Sequence, residues 1–227
     1  MRRHSMLQGP LLPSIISYTI PIILTSVLQL LFNAADLVIV GRYRGSLSVA
    51  AVSATGALIN LIINLFIGLS IGSGVSVAHA LGGKQHEETH RSVHTALPTA
   101  VAGGLVVPVI GILFAEPLLR MMGTPENVLP LSALYMKIYF GGMIFTMVYN
   151  FCASILRSIG DTKRPLIFLT VAGITNVVLN AFMVAVLGMD VEGVAIATVV
   201  SQAISAVLVM MKLLGLAWRV KKVRHLW

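Results

Sequence analysis

Long apolar runs constrain this chain more than any other feature of its sequence. Six windows of mostly apolar residues, each long enough to cross a bilayer as a helix, follow one another with short connectors between them. The windows cover residues 13–40, 49–80, 93–115, 129–154, 165–188 and 193–216. With 57% hydrophobic and 11% charged residues, the chain has more apolar surface than a water-soluble core of this size can hide. The sequence therefore predicts an all-α, polytopic membrane protein built as a bundle of six transmembrane helices.

The connectors between these windows carry turn and capping residues that end helices. They lie at 41–48, 81–92, 116–128, 155–164 and 188–192. Because none can hold a separate soluble domain, we divide the chain into a cytoplasmic N-terminal segment (1–12), a six-helix transmembrane lobe (13–216) and a basic cytoplasmic tail (217–227). The single cysteine, Cys152, excludes an intramolecular disulfide or a zinc-thiolate cluster within the sequence.

The formal net charge of +8 raises the question of nucleic-acid binding, which the positions of the basic residues answer. Cytoplasmic loops of membrane proteins retain an excess of Lys and Arg. One side of the predicted bundle has Arg2, Arg3, Lys84, Arg91, Arg157, Lys163, Arg164, Lys212, Arg219, Lys221, Lys222 and Arg224, and the other has Arg42, Arg44, Arg120 and Lys137. The uneven distribution of Lys and Arg thus indicates how the protein is oriented in the membrane, and it does not indicate nucleic-acid binding. It predicts that both termini are cytoplasmic. We interpret the basic tail as a plain stop-transfer anchor beside the membrane, and contact with anionic membrane lipid is the alternative.

Asp36 is the acid embedded in a long apolar window. A carboxylate near mid-membrane costs several kcal/mol unless it is neutralised, paired or facing a wet cavity, so it indicates a functional site. Gln29, Asn33 and Asp36 stand at i, i+4 and i+7 and share one helix face. We interpret Asp36 as a residue that binds a proton or a small cation, and Gln29 and Asn33 as residues that line the substrate path or belong to a polar network with it. A structural acid bonded to a neighbouring helix is the alternative.

Other polar residues and one proline add to this interpretation. Pro21 lies in the same window as Asp36, where it removes a backbone hydrogen bond and permits a kink, so it is a candidate gating residue. The fifth window contains Asn176 and Asn180 at i, i+4, and the sixth contains Thr198. Neutral oxygen ligands beside one carboxylate suit a hard cation or a protonation network, whereas interhelical hydrogen bonding would explain any one of them singly.

The stretch His86-Glu87-Glu88-Thr89-His90 matches the H-E-x-x-H pattern of zinc proteases. It lies in a polar connector that begins Gly82-Gly83-Lys84, where a solvated helical loop explains the same residues. We interpret His86, Glu87 and His90 as a chance match and predict no metal and no enzymatic activity, with a zinc metalloprotease kept as an alternative.

Several stretches resemble the multidrug and toxin extrusion (MATE) family, particularly its bacterial branch similar to the DNA-damage-inducible exporter. Pro21, Gln29, Asn33, Asp36 and Val40-Gly41 resemble the family's first helix, and Gly68-Leu-Ser-Ile-Gly72 with Leu81-Gly-Gly-Lys84 resembles its second. The run Leu156-Arg-Ser-Ile-Gly-Asp-Thr-Lys-Arg-Pro165 is similar to the loop between its fourth and fifth helices, and Gly193-Val-Ala-Ile-Ala-Thr-Val-Val-Ser-Gln202 to its sixth-helix signature. The resemblance covers residues 10–215 in order.

The resemblance implies an antiporter in the cell inner membrane that exports organic, often cationic compounds in exchange for protons or sodium ions, with no other cofactor. In that family a buried acid of the first helix is linked to polar residues of the fifth and sixth helices. Those positions are occupied here by Asp36, Asn176, Asn180 and Thr198, with Tyr135 a further candidate. Many relatives carry an aspartate at the position of Asn180, so Asp36 alone would hold the ion here.

The family also has twelve helices in two lobes, whereas six are predicted in this sequence. The chain would therefore be the N-terminal lobe, present either as a fragment or as a half-transporter that works with a second lobe or as a homodimer. A lipid-linked-sugar flippase of the same superfamily and an inactive membrane-inserted remnant are the other hypotheses. The sequence does not identify the exported compound or choose between proton and sodium coupling.

Overall fold

The computed structural model describes residues 11–83 and 85–224, and the side chains of these residues except 86, 90 and 216–224. The described part is helical and contains no strand. Its seven α-helices are α1 (Leu11–Arg44), α2 (Ser46–Gly82), α3 (His86–Met121), α4 (Leu129–Gly141), α5 (Met143–Ser158), α6 (Lys163–Ala181) and α7 (Val191–Arg224). A π-helical segment, Phe182–Val186, continues α6 and is called the π turn below.

Six membrane spans result if α4 and α5 are counted as one. Five helical segments of the described chain are long and apolar enough to cross a bilayer, and α4 and α5 pass the same test together as a pair bent by 49°. The predicted all-α bundle of six spans is therefore confirmed. The first span is α1, the fifth is α6 with the π turn, and the sixth is α7.

Gly142 lies at the bend between α4 and α5, which the sequence analysis did not predict. A Cβ atom at this position would overlap the side chain of Val199 on α7. The glycine therefore lets the fourth span pack directly against the sixth at the point where its direction changes. Because apolar content continues across Gly142, hydropathy alone gives no sign of the break.

The connectors are shorter than predicted. The predicted connector 41–48 is the clearest case, because α1 ends at Arg44, α2 begins at Ser46, and Gly45 with φ 85° turns the chain between them. The predicted connector 81–92 is also wrong in extent, since α3 already begins at His86. Polar residues at a membrane surface can stay helical, so hydropathy marks where the bilayer ends and not where the helix ends.

Helix α5 forms the centre of the bundle. Its buried residues Met147, Phe151 and Leu156 belong to one apolar cluster that also contains residues of α2, α3 and α7. By contrast, α2 presents exposed apolar residues outward, with Leu61 69% exposed and Leu65 65% exposed. Such a surface is stable against lipid tails and not against water.

Candidate functional site

A cavity of about 740 Å³ opens between α1, α2 and the inner helices. Its volume is within the range of small-molecule binding pockets. The lining comes from four further helices besides α1 and α2, and among the lining residues Asp36 is the one with a charged side chain. The polar lining residues are Ser26, Gln29, Asn33, Asp36, Ser53, Thr55, Asn60, Asn64, Tyr135, Tyr139, Thr146, Tyr149, Asn150, Asn176, Thr198, Ser201 and Gln202.

Asp36 joins α1 to α6 at the wall of this cavity. The carboxylate is buried, and its Oδ1 accepts a hydrogen bond of 2.7 Å from Nδ2 of Asn180, which is fully buried. A charge-assisted bond of this kind stabilises a carboxylate that would otherwise be costly in a low-dielectric setting. The structure thus brings together two predicted site residues that lie 144 positions apart in the sequence.

Three buried amide oxygens near this contact are left without a hydrogen-bond partner. They are Oδ1 of Asn176, Oδ1 of Asn180 and Oε1 of Gln202. Asn176 uses its other amide atom, since Nδ2 donates to Oγ1 of Thr198 at 3.3 Å and thereby links α6 to α7. A buried acceptor without a partner is unfavourable unless a cation, a proton donor or water satisfies it. Asp36, Asn176 and Gln202 all line the cavity, and carboxylate and amide oxygens are ligand types that suit a hard cation or a proton shared through water.

Tyr135 and Tyr139 add two aromatic rings to the cavity that Asp36 also lines. Tyr135 is buried, the ring centroids are 6.1 Å apart and the ring planes are inclined by 30°. A cavity whose wall has both aromatic rings and a carboxylate suits organic cations, because the ring face and the carboxylate both present negative charge.

Gln29 and Asn33 line the cavity from α1 as predicted, and both side chains are exposed. Facing them, α2 contributes Asn60 and Asn64, which the sequence analysis missed. These two asparagines are spaced i, i+4 in a mostly apolar window and therefore share one helix face. The reasoning that selected Gln29, Asn33 and Asp36 would have identified them as well.

Two other predicted features receive no test. Pro21 is buried within α1, which runs through it as one helix, and Oγ1 of Thr25 donates to its carbonyl oxygen at 2.8 Å. The gating role of Pro21 remains a prediction. Glu87 lies in the exposed first turn of α3, whereas the side chains of His86 and His90 are outside the described residues. Among the described side chains, no three or more His, Cys, Asp or Glu residues are grouped so that they could hold a metal ion.

Comparison with known proteins identifies the family of this lobe. The MatE family model matches residues 21–182, which is more than half of the chain and includes both Asp36 and Asn180. The chain belongs to the MatE family. The predicted family resemblance is therefore confirmed.

Two relatives in this family come from Bacillus subtilis (strain 168). The probable multidrug resistance protein YpnP is 30% identical over 207 residues, which are 90% of this chain and 46% of YpnP. The probable multidrug resistance protein YoeA is 37% identical over 190 residues, or 81% of this chain and 41% of YoeA. The chain thus spans less than half the length of these MatE relatives.

A solved MatE structure shows the same architecture. The crystal structure of MATE in the bent conformation superposes with a TM-score of 0.82 at 26% identity, over 86% of this chain and 44% of the other. The six-span bundle is therefore one lobe of a MATE-type fold.

Proposed function

We propose that the chain is one lobe of a cation-coupled antiporter that exports organic, often cationic compounds in exchange for protons or sodium ions. The observation that carries this proposal is the buried Asp36 carboxylate in a 740 Å³ cavity whose described lining has no other charged side chain. Binding of the driving cation at Asp36 would favour one shape of the lobe, and binding of the organic compound would favour the other. Coupling then follows from the difference in affinity between the two states.

The lining also bears on the flippase hypothesis. A carrier of lipid-linked sugars has to bind phosphate, for which Lys or Arg in the groove is the usual solution. The described cavity lining contains neither residue and instead has one acid and several amides. This composition favours a cationic or neutral amphipathic compound over an anionic one.

We further propose an inner-membrane location with both termini cytoplasmic and a partner that completes the transport path. The orientation follows from the Lys and Arg asymmetry. The partner would be a second lobe or another copy of this chain, because the relatives are about twice as long.

Proteoliposomes that contain the purified chain test the proposal. A proton gradient and a sodium gradient are imposed in separate experiments, and one of them should drive transport of a fluorescent organic cation such as ethidium. An anionic dye of similar size should not be transported. Crosslinking of the same preparation reports self-association. Protein that is folded but monomeric, and that moves no dye under either gradient, would support the inactive remnant instead.

Asn180→Asp should change the number of driving cations. The substitution sets a second carboxylate beside Asp36, where Asn180 Nδ2 now lies 2.7 Å from Oδ1. Two carboxylates this close cannot both stay charged without taking up a proton or cation, so we expect about one additional driving cation per exported molecule. The gradient at which dye flux reverses measures this ratio. An unchanged reversal point in Asn180→Asp would contradict the assignment of Asn180 to the cation site.

A further inference from the structure

The outer end of α1 is bound to the fifth span by an arginine. Arg44, the last residue of α1, is partly buried, and its Nη2 donates to the carbonyl oxygen of Val184 at 3.0 Å. Val184 lies in the π turn that follows α6. A π-helical turn departs from the i→i−4 pairing of backbone groups, and such turns occur often at functional sites.

The connector after the π turn is shaped around the same guanidinium group. Gly188 has φ 73°, and a Cβ atom there would lie 3.2 Å from Arg44 Nη2. The guanidinium group is therefore hydrogen-bonded to the π turn and lies so near Gly188 that a larger residue would crowd it. Nε of Arg44 and Oδ1 of Asp190, two residues beyond Gly188, are both buried without a hydrogen-bond partner. Burying a polar atom without a hydrogen-bond partner costs free energy, and an arginine that serves only as a surface charge would avoid this cost by extending into water.

This contact lies one helical turn from Asn180 on the fifth span and about two turns from Asp36 on the first. Asn180 precedes Val184 by four residues, and Asp36 precedes Arg44 by eight. The first and fifth spans thus share two polar links, one from Asp36 to Asn180 and one from Arg44 to Val184. Long side chains in helices extend back toward the N-terminus of the helix, so the guanidinium group of Arg44 lies nearer to Asp36 than its Cα atom does. A change in the π turn would rotate or shift the end of α6 and with it the Asn180 amide.

We propose that Arg44 is a positioning residue for the cation site: it holds the π turn against the end of α1 and thereby keeps the Asn180 amide on the Asp36 carboxylate. Arg44 is not among the residues that line the cavity, so it acts without touching the cation or the exported compound. The effect of Arg44 on transport rests on the proposed function, whereas its effect on the hydrogen bond between Asn180 and Asp36 does not.

The transport test compares three variants of the full chain in proteoliposomes. Arg44→Gln removes the charge and the planar fork, Arg44→Lys keeps the charge, and Arg42→Gln removes an exposed arginine of the same helical turn as the control. Loss of a hydrogen bond that supports a charged site should raise the half-saturating concentration of the driving cation about tenfold in Arg44→Gln, with the maximal rate retained. Arg44→Lys should recover most of this loss, and Arg42→Gln should behave as wild type. A general structural defect would instead lower the maximal rate and leave the half-saturating concentration unchanged, which would overturn the proposal.

A second measurement tests the proposal and does not depend on transport activity. A hydrophobic carbodiimide modifies membrane-buried carboxyl groups, and mass spectrometry gives the rate at which Asp36 is modified at one fixed pH. Release of the Asn180 bond should accelerate this reaction about tenfold in Arg44→Gln and leave it unchanged in Arg42→Gln. If Arg44→Gln does not fold, Gly188→Ala disturbs the same contact with the charge kept and should give the same direction. Wild-type rates in the folded Arg44 or Gly188 variant would overturn the proposal, whereas absence of export by wild-type protein would refute only the proposed function.

Discussion

Asp36→Asn should abolish gradient-driven export while leaving the fold intact. The substitution keeps the size of the side chain and its capacity to pair with the Asn180 amide, which now donates at 2.7 Å. It removes the group that binds and releases a proton or balances the charge of a metal cation. Because coupling free energies correspond to factors of up to about 100, we expect dye export driven by the cation gradient to fall by about that factor.

The control for Asp36→Asn is Glu116→Gln, which removes an acid at the protein surface. Glu116 is half exposed and pairs with Arg120 at 3.3 Å, and such surface pairs contribute little to stability. Its export rate should equal that of wild type. Circular dichroism and the unfolding temperature in detergent confirm that both variants are folded. If folded Asp36→Asn exports as fast as wild type, Asp36 is a structural acid and the cation site lies elsewhere.

Gly173→Val should strongly destabilise the packing that brings α1 to α6. A Cβ atom at Gly173 would overlap the ring of Phe32, which lies one turn before Asp36 on α1. Valine adds two further carbons to a site with no room, and overpacking of this kind costs about 3 kcal/mol when the neighbour is a ring and not a flexible chain. We expect a lower unfolding temperature in detergent and, in the fraction that folds, a weaker response to the driving cation.

Gly68→Val provides the matched control, because the same change is made in another membrane helix. No atom lies within 4 Å of a Cβ built on Gly68, and the residue is exposed. Its unfolding temperature should stay close to that of wild type, because valine meets no neighbouring atom at this position and is slightly more favourable than glycine in a helix. Equal unfolding temperatures for Gly173→Val and Gly68→Val would show that Phe32 moves aside freely and that Gly173 does not set the approach of α1.

Two properties of the site could be predicted from the sequence: the free-energy cost of burying a charged side chain in a bilayer, and the spacing of polar residues along a helix. Asp36 is informative because a bilayer penalises an unpaired carboxylate wherever the helix is placed. Gln29 and Asn33 follow from the same helix face, and the structure shows both in the cavity lining. The same reasoning was not applied to Asn60 and Asn64, although their spacing carries an equal signal.

Other parts of the site could not be predicted because they depend on partners distant in the sequence. The bond between Asp36 and Asn180 joins residues 144 positions apart, so only the family resemblance, and not spacing or composition, implied this link. The contact between Arg44 and Val184 spans 140 positions and depends on a π turn that has no composition signature. Periodicity would count the residues of that turn as part of an ordinary helix.

The sequence by itself determined that the chain has six apolar membrane-spanning segments and that the first of them carries an acid on the same helix face as other polar residues. These properties follow from the transfer of each segment between water and lipid, which depends on local composition. Only the tertiary structure decided where the fourth span bends, which amide faces Asp36 and which oxygens remain without a partner. Those outcomes depend on close packing at residues such as Gly142 and Gly173, where the absence of one carbon atom sets the distance between helices.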